Sequence, residues 1–471
     1  MAEHAGADNV HTRKIAEFVS TLTYDRIPAD VRERIKLLIL DSFGCAVYGA
    51  QLEWCRILQG TLEKLDATRT TSVWGTRLRL SSPHAVLING TQVQGFELDD
   101  VHRQGVLHVG AVTLPALIAV AESQAEVGNG GLTGREFLTA AVAGYEIGPR
   151  VGKCMGQEHI GQGWHSGATV GVFSAAAGAA RGLKLSTDET VHALGIAGTQ
   201  SAGLMAAQYG AMVKRMHAGR AAQSGLYGAL LAKNGFTGIV DVFEAPYGGF
   251  CTTFSRSQDR FDLGELSAAL GDRFETMRIS LKFYSCVGSN HTTLDAIRDI
   301  QRRRPFTLDE LDKIVVHGSQ VTIDHVGWPY RPQGLTSAQL NLPFCAATLL
   351  LEGDVFVDQF KPEAVEDRAR IALSRKVEVV HDGAITALGS AFRHQVRVDI
   401  HFRDGSVETE TREAPRGSEQ SFATPSEIVE KFRKLTRHAM SATRQDALID
   451  AVLDLENLPD GKRLAELLRA E

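Results

Sequence analysis

Residues 95–115 read GFELDDVHRQGVLHVGAVTLP. The stretch from Glu97 to His108 gathers Glu97, Asp99, Asp100, His102, Arg103 and His108, and then turns apolar. Carboxylates and imidazoles placed together beside a buried helix are what proton-transfer chemistry requires. The competing reading is a polar helix-to-loop transition whose groups merely satisfy one another. Two later stretches echo the first: GWHSGAT around His165, and MVKRMHAGRAA around Lys214 and His217.

Outward from this stretch the chain reads as helix after helix. Residues 1–10 read as an unstructured start. Val31, Ile35, Leu38, Ile39, Phe43 and Ala46 recur every three to four positions, which predicts a helix with one buried face. Ser81-Ser-Pro83 starts the helix that leads into the Glu97–His108 stretch, with proline near its first turn. Thr133-Gly-Arg-Glu136, Ser186-Thr-Asp-Glu189 and Thr424-Pro-Ser-Glu427 are capping boxes, each predicting a helix start. GATVGVFSAAAGAARG (167–182) predicts a central buried helix whose small residues let neighbours approach closely. After Met277 the character changes. Residues 313–319, 376–382 and 395–402 read as strands, with helices near 289–303 and 336–352. The expected fold is mainly α: a helical domain built from both chain ends (1–277 and 414–471) with an inserted α+β domain (278–413).

Net charge is −6, from 50 Lys and Arg against 56 Asp and Glu, which argues against a nucleic-acid binder. The basic run Arg302–Arg304 reads as a solvated helix end. Six cysteines stand far apart with no C-x-x-C, so the common zinc, redox and iron–sulfur spacings are absent. Such cysteines fit a reducing, cytoplasmic setting. The N-terminal residues carry no apolar signal-peptide core, and no apolar run reaches a membrane-spanning length.

His102 and His108, with acidic neighbours, could form an acid/base pair; their spacing matches no common zinc motif. His165 lies between glycines just before a buried helix, either facing an anion or as a satisfied loop residue. Lys214, His217 and Arg220 fall at i, i+3 and i+6, a cationic face suited to a carboxylate-rich ligand or simply to solvent. Lys282 and Tyr284 stand at the expected domain junction, where clefts often form.

Seven stretches, in order, carry a resemblance: LLILDSFGCAVYG (37–49), INGTQVQGFELDDVH (88–102), HVGAVTLPALIA (108–119), GWHSGATVG (163–171), VKRMHAGRAAQSG (213–225), SLKFYSC (280–286) and EKFRKLT (430–436). Together they resemble the MmgE/PrpD family, which includes 2-methylcitrate dehydratase, cis-aconitate decarboxylase and iminodisuccinate epimerase. The resemblance implies a helical domain from both termini, an inserted α+β lid, homodimers and cofactor-free chemistry on a small di- or tricarboxylate. The family's D-x-D-D-T stretch falls on Glu97–Val101, with Glu97 in place of an aspartate and Val101 in place of a threonine. Its histidine following that stretch falls on His108 and its glycine-flanked histidine on His165, and its lysines on Lys214, with His217 after it, and Lys282.

The resulting expectation is proton transfer at a carbon next to a carboxylate. Lys214, Lys282 and His165 hold carboxylates; His108 or His102 is the acid or base, oriented by Asp99 or Asp100. Glu97, Val101, His217 and Tyr284 complete the substrate-binding set, with no metal. A dehydratase-like hydro-lyase is the first reading, with epimerase or decarboxylase as the alternative. A non-catalytic anion-binding homologue is the reading from a different class.

Overall fold

The helix starts form where the capping sequences place them. Thr133 Oγ1 accepts from the Glu136 N–H at 3.3 Å while Glu136 Oε2 accepts from the Thr133 N–H at 3.0 Å, opening the helix Gly134–Met155. Ser186 with Glu189 opens Thr187–Gly198 in the same reciprocal way, and Thr424 with Glu427 opens Pro425–Thr436. Each box satisfies two backbone donors that a helix start otherwise leaves bare.

The computed structural model describes residues 10–126, 131–156, 158–209, 211–389 and 392–471. Of the expected unstructured start, all but Val10 lies outside the described residues, and Val10 opens a helix to Thr21. The described residues fall into two compact units. The first comprises the chain up to Gly95, Asp99–Ser280 and Thr424–Glu471; the second comprises Phe96–Leu98 and Leu281–Ala423.

The first unit is helical. The helices that matter for the site are α1 (Ala29–Gly49), α2 (Ser82–Val93), α3 (Val109–Glu126), α4 (Gly134–Met155), α5 (Gly171–Gly182), α6 (Thr187–Gly198), α7 (Val213–Lys233) and α8 (Pro425–Thr436). Helix α5 is the expected central helix: it packs against α3, α4, α6 and α7. The sequence suggested one helix over 167–182, whereas a short turn, Ser166–Thr169, is set off from α5 at Val170. Ser174 of α5 binds the Gly144 carbonyl of α4 at 2.7 Å and meets Thr113 of α3 at 2.9 Å. Small polar side chains thus join three helices at their closest approach.

Close packing also fixes α7 against α2. A Cβ on Gly219 would stand 2.0 Å from the Leu87 carbonyl oxygen, and one on Gly90 would stand 2.6 Å from the Gly219 Cα. Only glycines allow the two backbones this close. This crossing sets the depth of the first turns of α7, which carry Lys214 and His217.

Among the described residues of the second unit is a four-stranded sheet of β1 (Leu311–Gly318), β2 (Val377–His381), β3 (Val396–Phe402) and β4 (Val407–Arg412), ordered β2-β1-β3-β4. Strands β1 and β2 are parallel, and the other pairings are antiparallel. In β3, Val396, Val398, Ile400 and Phe402 are buried and the residues between them are not, as period-2 alternation requires.

Three sequence expectations need correction here. Strand β4 was not foreseen, because VETETR has no apolar face; it is a charged edge strand, a common guard against edge pairing. The basic run is not simply solvated: Arg303 pairs with Glu408 at 3.2 Å and Glu410 at 2.7 Å on β4, and Arg304 lies over the Phe402 ring. The helix expected over 336–352 is two helices, because Asn341 caps the second by accepting from the Phe344 N–H at 2.8 Å.

The glycine crossing yields a paired test. Gly219→Ala should lower stability by about 1–3 kcal/mol through overpacking. Gly60→Ala, in the helix Glu53–Leu65 with no atom within 4 Å of an added Cβ, should raise it by about 0.5–1 kcal/mol. Urea unfolding midpoints of the two variants check both signs.

Candidate active site

The path from α2 to α3 builds the site. Two non-glycine residues with left-handed backbone bracket the acidic stretch: Glu97 at φ 59° and Val106 at φ 48°. For β-branched valine this is strained, and such strain persists only where surrounding contacts impose it. Between them, Val101–His102 pairs with Ile279–Ser280. His102 and Leu107 then exchange backbone hydrogen bonds of 2.8 and 3.2 Å, closing the turn that delivers His108 to the start of α3.

His108 Nδ1 stands 2.9 Å from the Asp100 carbonyl oxygen and 3.0 Å from Asp99 Oδ2. Both neighbours are acceptors, so Nδ1 carries a hydrogen and donates it. Nε2 is then the ring nitrogen that can exchange a proton. The side chain is 17% exposed whereas Asp99 is fully buried. This is the base-plus-orienter arrangement that general acid–base catalysis uses.

Asp100 turns its carboxyl inward. Its oxygens accept from the Gly110 N–H at 3.0 and 3.2 Å, at the start of α3. Tyr145 of α4 and Ser42 of α1 line the same space: a Cβ on Gly110 would meet Ser42 Oγ at 2.1 Å and the Tyr145 hydroxyl at 2.7 Å. Burial, followed by the charge of Asp99, pushes Asp100 up to about 8. Asp100 is therefore a neutral acid near pH 7, while its backbone carbonyl still serves His108. Burial likewise pushes Tyr145 well up, so its phenol is neutral too.

His102 belongs to a different set. Its Nδ1 accepts from the Gly105 N–H at 2.9 Å and its Nε2 meets Glu275 Oε2 at 3.0 Å, with the ring 1% exposed. Burial by itself would raise Glu275, but His102 and Lys153 hold it well below the usual carboxylate range. Both nitrogens of His102 are engaged in fixing the turn. With both ring nitrogens engaged, His102 is less suited to proton transfer than His108.

His165 and His217 meet with Nδ1 atoms 3.1 Å apart. One must donate and the other accept, so the pair shares one proton across this contact. Burial, followed by the charge of Lys214, lowers His217. Lys214 and His217 occupy the first turns of α7, which packs against both α3 and the short helix that His165 precedes. Arg220, read from sequence as part of this cationic face, is instead exposed and bound to Gln223.

In the second unit, Lys282 Nζ lies 3.2 Å from Glu97 Oε2, with both side chains at most 10% exposed. Tyr284 is 1% exposed and donates its hydroxyl to Asp295 at 2.6 Å. Its phenol is thus committed to the interior of that unit, against its expected place in a substrate-binding set. Val101 is half-buried in its strand.

Sequence reading passed over Asp41, Ser42, Tyr145 and Lys431. Asp41 left one signal, a lone carboxylate inside the apolar run LLILDSFG. Lys431 left only its place in the stretch EKFRKLT, where it stands among ordinary helix-surface charges.

The raised Asp100 has a sign that can be tested. The unfolded carboxyl releases its proton near 3.9, while the folded one keeps it up to about 8. The folded state binds the extra proton in that window, so this residue's contribution to stability falls as pH rises from about 4 to about 8. Asp100→Asn cannot titrate. Its stability relative to wild type should improve between about pH 5 and about pH 8 in urea unfolding; equal pH slopes for the two proteins would exclude a neutral Asp100.

Residues 13–262 match the MmgE/PrpD N-terminal domain and residues 284–457 the MmgE/PrpD C-terminal domain. The chain is 37% identical to the cis-aconitate decarboxylase-like protein oryM of Aspergillus oryzae, over 98% of this chain and 97% of that protein. It is 35% identical to the cis-aconitate decarboxylase of Aspergillus terreus, over 97% and 95% of the two chains. Against the human cis-aconitate decarboxylase the identity is 25%, over 97% and 94%. With both domain models matched in order and relatives aligned along nearly their whole length, the chain belongs to the MmgE/PrpD family.

Proposed function

We propose that this protein is a decarboxylase of a small tricarboxylate, cis-aconitate or a close analogue, and that His108 Nε2 supplies the proton. The observation that carries the reading is the fixed Nδ1 of His108, between Asp99 and the Asp100 carbonyl. The named relatives, all cis-aconitate decarboxylases or decarboxylase-like, support the choice of reaction. They move the reading away from the hydro-lyase favoured on sequence alone.

The chemistry is balanced by one proton. In cis-aconitate the methylene carboxylate leaves as carbon dioxide. The electron pair of the broken C–C bond forms a new double bond to the central carbon. The former vinylic carbon, next to a carboxylate, then takes one proton. A trianion plus a proton gives carbon dioxide plus a dianion. The site must therefore deliver a proton at one carbon and stabilise charge on the remaining carboxylates. His108, with Nδ1 held by its neighbours, suits the first task. Lys214 and the His165–His217 pair suit the second, as a lysine beside histidine N–H groups suits a carboxylate.

The decisive experiment is incubation with cis-aconitate in D₂O, followed by proton and carbon NMR. The expected product has lost one carboxyl and carries one deuterium on the carbon that was vinylic. Deuterium exchange without carbon dioxide release would favour an epimerase or hydro-lyase. No change with any of a panel of di- and tricarboxylates would favour a non-catalytic homologue. His108→Ala should lower kcat by about 10² or more; near-normal turnover would remove His108 from the mechanism. Lys214→Ala should chiefly raise KM if its role is to hold a carboxylate.

A further inference from the structure

Behind His108 lies a group of buried charges that the proposed reaction does not use directly. Lys431 of α8 reaches Asp41 of α1 with Nζ–Oδ1 at 2.6 Å, the two side chains being 2% and 0% exposed. Asp41 acts electrostatically on Asp100, as does Asp99. Cys45 of α1, fully buried with its Sγ 4.0 Å from Asp41 Oδ2, feels the charges of Lys431, Asp41, Asp99 and Asp100 together. One small interior region thus holds the carboxyls of Asp41, Asp99 and Asp100 together with the ammonium of Lys431. Ser42 and the Tyr145 hydroxyl stand beside Gly110, whose N–H binds Asp100, and the Cys45 thiol stands beside Asp41. The carboxyl of Asp99 is also the one that faces His108 Nδ1.

We propose that Lys431 is a positioning residue for His108: its buried ammonium, tied to Asp41, offsets the carboxylates behind the imidazole. The argument is one of charge in a poorly screened interior, where a missing counter-charge is felt by every group nearby. With Asp100 neutral, Asp41 balances Lys431, and Asp99 balances His108 only when the imidazole is protonated. Asp99 and the Asp100 carbonyl face the imidazole; Asp41 of α1, with its partner Lys431 of α8, and the phenol of Tyr145 of α4 stand on the Asp100 side, and α7, which carries Lys214 and His217, packs against α3. This inference rests on His108 as the proton-transferring group.

The test uses opposite signs. Lys431→Gln leaves Asp41 uncompensated, makes the region more negative and should move the titration of His108 to higher pH by about one unit. Asp41→Asn leaves Lys431 uncompensated and should move it to lower pH. The double variant D41N/K431Q removes both charges and should return it close to wild type. The readout is NMR of histidine-labelled protein, with the His108 signal assigned by His108→Gln, alongside the pH dependence of kcat on cis-aconitate. The NMR arm needs no turnover, so failure of the proposed reaction and failure of this inference are separable. Should K431Q not fold, D41N and the double variant still give the comparison. Shifts of the same sign in both single variants, or no shift in D41N, would overturn the role; a purely structural pair has no reason to produce opposite shifts.

Discussion

The hydrogen bond from His108 Nδ1 to the Asp100 carbonyl, with the Asp99 carboxylate beside it, is the constraint from which the site follows. It fixes the tautomer, and so decides which nitrogen can exchange a proton. It can exist only if Asp99 and the Asp100 carbonyl are held within about 3 Å of the ring. That in turn needs the tight path between α2 and α3, with strained backbone at Glu97 and Val106. It also needs Gly110, whose missing side chain leaves room for Ser42 and Tyr145. The helices of the first unit are the frame that holds these few atoms still.

Electrostatics then divide similar residues into different roles. Asp99 and Asp100 are neighbours in the chain and both are fully buried. Yet Asp99 faces an imidazole, while Asp100 is pushed toward its neutral form by burial and by Asp99 itself. His102 and His108 diverge as well: one has both nitrogens engaged, while among the described residues only Nδ1 of the other is. Environments that push like groups apart are how one cluster supplies both a proton donor and the groups that orient it.

Much of the fold was legible because local rules were strong. The capping boxes at Thr133, Ser186 and Thr424 each needed only four residues, and each formed. The alternation in β3 was equally local. Strand β4 and the break at Asn341 were not legible. A polar edge strand has no apolar face to announce it, and an asparagine inside an apolar run looks like a tolerated guest until it caps. At the site, the types and spacing around Glu97–His108, His165 and Lys214 pointed to proton and carboxylate chemistry. The resemblance they carry named the family.

What the sequence alone determined was therefore the helical frame, the family and the pool of candidate residues. These follow from periodicity, capping and short motifs, which act over a few residues. Only the tertiary structure decided which candidates work together. It paired His165 with His217, committed His102 to Glu275 and Tyr284 to Asp295, and brought Lys431 and Asp41 together from segments 390 residues apart in the chain. The role of an imidazole or a carboxyl depends on what lies within a few ångströms of it, and those neighbours come from helices that the chain order keeps far apart.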